Sequence, residues 1–147
     1  MTPATRPAIV RFYFDADVLG LAKVLAPLRS DITYPGDPGD VIHRRQRPAC
    51  PIPPRAKDSE WIPVVAEAGW LIVTRDRNIQ NRPAELAAVR DNGAKLVALS
   101  PADATTTWSQ LELVMTQWRA IEATLDEDGP FIYTASRSRL RPIDLDT

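Results

Sequence analysis

The sequence predicts an α/β domain built on a central, mainly parallel, twisted sheet. Three observations carry that reading. Short β-branched and aromatic runs alternate along the chain with stretches of helical period. The runs IVRFYFD, WLIVT and KLVAL are almost wholly apolar, as buried strands are. No apolar run approaches the ~18 residues that a membrane span needs.

The elements follow in order. Ile9 to Asp15 predicts a buried strand, and Val18 to Leu28 a helix with Leu21, Val24, Leu25 and Leu28 at helical spacing. Asp31 to Tyr34 is a short second strand. Pro35 to Lys57 holds six of the fourteen prolines and is expected to be a long loop. Asp58 to Ala68 predicts a helix in which Pro63 is awkward, implying a tight first turn or a start near Ile62. Trp70 to Thr74 is a further core strand. Pro83 to Asp91 is a helix with proline at its start and Asn92-Gly93 as its stop. Lys95 to Leu99 is the next strand. Thr106 to Leu125 is the longest helix, with Leu111, Val114, Met115, Trp118, Ile121 and Leu125 as its expected core stripe. Phe131 to Tyr133 is expected as an edge strand, and Ser136 to Thr147 as a loose or partner-dependent tail.

A chain of 147 residues is the size of one domain, here with a core over about residues 9–125 and a C-terminal extension over 126–147. The start of the chain lacks the apolar stretch of a secretion signal, which makes the cytoplasm the expected location. Cys50 is the sole cysteine, which excludes an internal disulfide and a thiolate zinc site. His43, the sole histidine, falls in the proline-rich loop and is expected to be a surface or packing residue. Gly-rich phosphate loops are absent. The net charge of −1 gives no global field for nucleic acid, but fifteen of the eighteen basic residues are arginine. They cluster around Arg44–Arg55, Arg75–Arg82 and Arg137–Arg141, and arginine forks suit phosphate.

In open α/β sheets ligands sit beyond the carboxyl ends of the strands. Asp15 closes the first strand and Asp76 follows the WLIVT strand. If those strands are neighbours, their carboxylates meet at one edge, and Asp58, opening the helix between them, can point there too. Asp17 and Glu60 are second candidates. Gathered carboxylates repel, and a hard cation such as Mg²⁺ or Mn²⁺ relieves this. Such a site can activate water for in-line attack on a phosphodiester. Each acid also has a plainer reading: Asp58 as an N-cap, Asp76 as a turn residue, and Asp17 as the cap of the helix from Val18, the role favoured for it. Asp15 ends an apolar strand where nothing structural asks for an acid.

FYFDADVLGLAK (Phe12 to Lys23) and KDSEWIPVVAEAGWLIVTRDRNI (Lys57 to Ile79) resemble the compact PIN-like domains, above all the VapC-type toxins of bacterial toxin–antitoxin pairs. The resemblance runs from about Val10 to Leu99 and implies a three-layer α/β/α fold. It places Asp15, Asp58 and Asp76 at the family's acid positions. It implies a Mg²⁺- or Mn²⁺-dependent endoribonuclease, an RNA substrate, a small VapB-like antitoxin as partner and often a homodimer. The sequence departs from the family at two points. The acid that many members supply from the middle of the chain has no clear equivalent, and Glu60 is the replacement available. Two residues after the TRD aspartate, Asn78 stands where many members have an acid. Arg75 and Arg77 flank Asp76 and are expected to hold RNA phosphates, with Arg82 extending the track. Tyr34 is placed to stack on a base. The alternative from another class is a non-catalytic PIN-like module that binds RNA or protein. A receiver domain fits poorly, because Lys95 begins its strand instead of ending it.

Overall fold

A computed structural model describes residues 5–75 and 82–145. In chain order the elements are β1 (Arg6–Pro7), β2 (Phe12–Phe14), α1 (Leu19–Leu25), β3 (Ile32–Thr33), β4 (Asp40–Ile42), β5 (Arg45–Arg47), α2 (Asp58–Ala68), β6 (Leu71–Arg75), α3 (Pro83–Asn92), β7 (Lys95–Leu99), α4 (Thr107–Ala123), β8 (Phe131–Ala135) and β9 (Leu140–Ile143). The main sheet runs β3-β2-β6-β7-β8-β9. Its first five strands are parallel, and β9 closes one edge antiparallel to β8. This is the α/β architecture that the alternating runs predict.

Strand side chains alternate between faces, and both faces are covered. On one face Phe12, Phe14, Val73, Val97 and Leu99 pack against Leu21, Ala22 and Leu25 of α1 and Leu113, Val114 and Ile121 of α4. On the other, Tyr13, Ile72, Leu96, Ala98 and Ile132 pack against Trp61, Ile62 and Val65 of α2 and Val89 of α3. The result is three layers, α/β/α. Each fully buried Phe, Leu or Ile stabilises it by about 1.5–3 kcal/mol. Helices α2 and α3 stop at Gly69 and Gly93, whose φ of 77° and 65° a side chain would strain. Thr106 and Ser109 form a reciprocal capping box at the start of α4. Among the described residues no helix is long and apolar enough to cross a membrane.

The structure differs from the sequence reading in four places. The proline-rich stretch is not simply a loop: β4 and β5 form a hairpin that β1 extends into a second sheet, ordered β1-β5-β4. Its two-residue turn places His43 and Arg44 at φ 50° and 64°, a conformation that Asn-Gly usually supplies, so the hairpin carries no turn signal. Helix α2 keeps its expected span from Asp58 to Ala68, but Pro63 does not delay its start to near Ile62: the helix runs through it, and the carbonyl that Pro63 cannot bond belongs to the exposed Ser59. The expected stripe of α4 does face the core, with Val114 and Ile121 buried and Leu111, Trp118 and Leu125 packed against the same cluster, but Met115 is 60% exposed and Gln110 and Leu113 are buried in addition. Finally, β8 is an interior strand, and Leu140–Ile143 is its edge partner instead of a loose tail.

Candidate active site

β2 and β6 are neighbours, paired Phe12 to Leu71 through Phe14 to Val73, so their carboxyl ends adjoin. Asp15 follows directly, its backbone N–H donating to the Val73 carbonyl at 2.9 Å. The chain then turns through a short 3-10 segment, Ala16–Val18, that Asp15 itself caps: its Oδ1 accepts from the Ala16 N–H at 2.7 Å. Asp17 is therefore not the helix cap that the sequence favours. Its Oδ2 instead accepts from the Thr74 hydroxyl at 2.7 Å and the Arg75 N–H at 3.2 Å. Thr74 Oγ1 also lies 3.5 Å from Asp15 Oδ2. One threonine at the end of β6 thus gathers two carboxylates from the end of β2.

Asp58 is the first residue of α2, not its N-cap; Lys57 holds that position. Its Oδ1 accepts from the Trp61 indole N–H at 3.0 Å. Trp61 is buried and rests on Tyr13, with ring centroids 5.0 Å apart. Across an open cleft of about 420 Å³ from Asp58 stands Glu85, in the first turn of α3, bridged to Arg82 at 3.5 Å.

The electrostatics tie these acids together. The Asp15 carboxyl is pushed up to about 7, first by burial and then by Asp17; the Ala16 N–H opposes this, and Asp58 and Glu85 add to it. Asp17 is raised by burial and by Asp58, against the hydrogen bonds from Thr74 and Arg75. Glu85 is raised by burial, then by Asp58 and Asp17, with Arg82 opposing. Beneath them the Tyr13 phenol is raised by burial and next by Asp15, and its buried hydroxyl has no hydrogen-bond partner among the described residues. Asp15, Asp17 and Glu85 are thus raised together, with Asp58 contributing to each, which marks one shared field of negative charge.

The structure thus brings Asp15 and Asp58 toward one edge. It does not bring Glu60, which is exposed two residues along α2, on the far side of the helix from Asp58. Asp76, Arg77 and Asn78 lie outside the described residues. Among the described residues no group of three or more His, Cys, Asp or Glu side chains is placed to hold a metal ion. Arg75 alternates to the opposite sheet face from Thr74, and its Nε is buried without a partner among the described residues. Arg82 is exposed at the cleft. Tyr34 is half-buried, packed against the α1/α4 core cluster. Sequence reasoning misses Glu85; its one signal is an acid at the third position of a helix that opens with proline.

A family model described as a PIN like domain matches residues 10–101, the stretch that carries all four acids. The chain belongs to the PIN-like domain family. This PIN-like domain is 32% identical over 83 residues to a Mycobacterium tuberculosis protein named "Putative ribonuclease VapC45". The match covers 56% of this chain and 59% of that protein, so the chain spans less than two thirds of its relative's length. Compared with solved structures, the chain gives no significant match.

Proposed function

We propose that this PIN-like domain is a metal-dependent endoribonuclease, the toxin of a VapBC-type toxin–antitoxin pair. It would hydrolyse RNA phosphodiester bonds at the acid cluster and be held in check by a VapB-like antitoxin. The observation that carries this reading is the pairing of Asp15 and Asp17 around one threonine hydroxyl at the carboxyl ends of adjacent parallel strands. The named relative adds the ribonuclease activity to the proposal.

The donor set is all oxygen, which suits Mg²⁺ or Mn²⁺. Asp15 and Asp17 would hold the ion, with Asp58 and Asp76 completing its surroundings. Such an ion supplies Lewis acidity and a water of lowered pKa. The chain's own residues orient and retain. Thr74 fixes Asp17, the Ala16 N–H fixes Asp15, Trp61 fixes Asp58, and Arg82 offers a guanidinium at the cleft.

The test is incubation of folded, antitoxin-free protein with a mixed RNA pool in Mg²⁺ or Mn²⁺. Controls are a chelator and the Asp15→Asn and Asp76→Asn variants. Cleavage abolished by the chelator and by both substitutions supports the reading. RNA binding without cleavage in either metal would replace it with the non-catalytic module.

Two further results are expected here. Without a cation, Asp15 keeps its proton up to about pH 7, while in the unfolded chain an aspartate releases it near ~3.9. Between those values the folded state binds the extra proton, so this group's contribution to stability is present at low pH and lost as pH rises to 7. A divalent cation replaces that proton. Melting temperature should therefore rise most with Mg²⁺ or Mn²⁺ above pH 7, the gain fading towards pH 5; a gain independent of pH would argue against binding at Asp15. Second, Trp61→Phe keeps a ring on Tyr13 but deletes the donor to Asp58. Losing such an outer partner should cost about 10–100-fold in metal affinity or cleavage. Circular dichroism should show the fold retained.

A further inference from the structure

The arginines near the C-terminus have no part in the site described so far. Arg139 and Arg141 are exposed, and among the described residues neither has an acidic partner. With Ser100, Thr134, Ser136 and Ser138 they line a pocket of about 250 Å³. Its wall is hydroxyls and guanidinium groups, the donor set of an oxyanion site and not of a cation site.

The register places this pocket with respect to the acids. Phe14 pairs with Val73, which sets Asp15 opposite Thr74. Thr74 pairs with Ala98, Ala98 with Thr134, and Thr134 with Arg141. One row therefore crosses five strands from carboxylate to guanidinium, all on the face covered by α2 and α3. Between the two polar ends lies Ala98, which is fully buried, so the two ends communicate across the carboxyl edge and not over the sheet face. Ser100 and Ser136 continue β7 and β8 past this row, at the carboxyl edge where Asp15 continues β2. At ~4.8 Å per strand, Thr134 lies about 10 Å from Thr74.

The pocket is also held rigid. The Ser136 N–H donates to the Arg139 carbonyl at 3.0 Å, closing the hairpin. Ser136 Oγ accepts from the N–H groups of Ser138 and Arg139 at 3.3 Å. From α4, Gln117 Nε2 donates to the carbonyls of Ser136 and Arg137 at 3.0 Å. Asp103 accepts from the Arg137 N–H at 3.2 Å. The arginines thus project from a pinned turn, so less freedom is lost when they close on a ligand.

We infer that this pocket is a phosphate subsite for the RNA strand: Arg139 and Arg141, with the surrounding hydroxyls, grip a phosphodiester displaced along the sheet edge from the one at Asp15. The inference rests on the ribonuclease reading and gives it a substrate path, running across the strand ends from β2 towards β9. It also answers a difficulty of that reading. A cluster of acids in a chain of net charge −1 repels a polyanion, and cations on the same edge offset this.

The test compares binding of a labelled single-stranded RNA in chelating buffer by wild type and by the Arg139→Ala/Arg141→Ala variant. The charge-matched control is Arg90→Ala/Arg119→Ala. Arg119 lies on α4, over the opposite sheet face, and Arg90 near the end of α3, away from the carboxyl edge. The pocket variant should bind at least about tenfold more weakly, and its salt dependence should be shallower by about 0.7 for each phosphate it no longer neutralises. The control should bind as wild type does. Cleavage with metal is measured in parallel. Weakened binding specific to the pocket variant supports the subsite even if no form cleaves RNA, in which case only the nuclease reading falls. Pocket and control variants that bind alike overturn the subsite, and cleavage by wild type would then leave the nuclease standing. Wild type that binds no RNA overturns the subsite as well.

Discussion

Asp15→Asn is expected to abolish cleavage and at the same time to stabilise the metal-free protein. Both follow from one crowded carboxylate. At pH 8 Asp15 is ionised beside Asp17, with Asp58 and Glu85 adding to the field, in partial burial that already pushes its carboxyl up to about 7. An amide keeps the shape and removes the charge, so the repulsion goes. The Asn oxygen can still accept from the Ala16 N–H, as Oδ1 does now. The substitution removes a charged ligand from the centre of the proposed metal site. Several kcal/mol of transition-state stabilisation are at stake, or about a thousandfold or more in rate at 1.36 kcal/mol per factor of ten. Thermal melts at pH 8 without metal should show the variant above wild type, and added Mg²⁺ or Mn²⁺ should narrow or reverse the order. A variant that cleaves normally would remove Asp15 from the chemistry. One that melts well below wild type without metal would mean that the carboxylate supports the fold instead of straining it, contrary to a site built for function at the expense of stability.

Arg47→Ala should be the most damaging substitution away from the acids. Arg47 and Asp37 are almost sealed from water, with side chains 3% and 1% exposed. Nε meets Asp37 Oδ2 at 2.7 Å, and Nη1 donates to the carbonyls of Ala26 and Arg29 at 3.1 and 3.3 Å. Asp37 also accepts from the Thr33 hydroxyl and the Gly39 N–H, both at 2.9 Å. One guanidinium thus joins the β4–β5 hairpin to the end of α1 and the turn after β3. Truncating it strands a buried carboxylate and two carbonyls, at a cost of about 3–5 kcal/mol. Denaturant titration would show the midpoint fall accordingly. The Arg47→Met/Asp37→Leu double variant should recover much of the loss, because it leaves no buried charge unpaired. A loss under about 1 kcal/mol for Arg47→Ala would show that water reaches the pair.

Most of the sheet is legible in the sequence because its strands are short and saturated with apolar residues. The apolar residues of FYF, WLIVT and KLVAL announce buried strands, and α2 matches its expected span from Asp58 to Ala68. The hairpin is not legible, since His43 and Arg44 occupy turn positions for which neither is a typical residue. The site divides along the same line. Asp15 and Asp58 can be read because a strand end and a helix start announce them. Asp17 is legible only as a second candidate, with a cap as its favoured role, because a 3-10 turn delays the helix and hands the cap to Asp15. Glu85 cannot be read: it joins the acids only through the way α3 lies beside α2, which no local pattern encodes.

The two edge strands of the main sheet constrain how this molecule can be met. On one side β3 has only two residues. On the other, β9 places Pro142, which lacks an N–H, opposite Tyr133. Neither offers an incoming chain a long row of free backbone donors and acceptors, so the fold resists edge-to-edge polymerisation and gives a partner peptide little to zip onto. Recognition at the main sheet thereby falls to side chains: those of the helix faces and of the carboxyl edge where the acids stand.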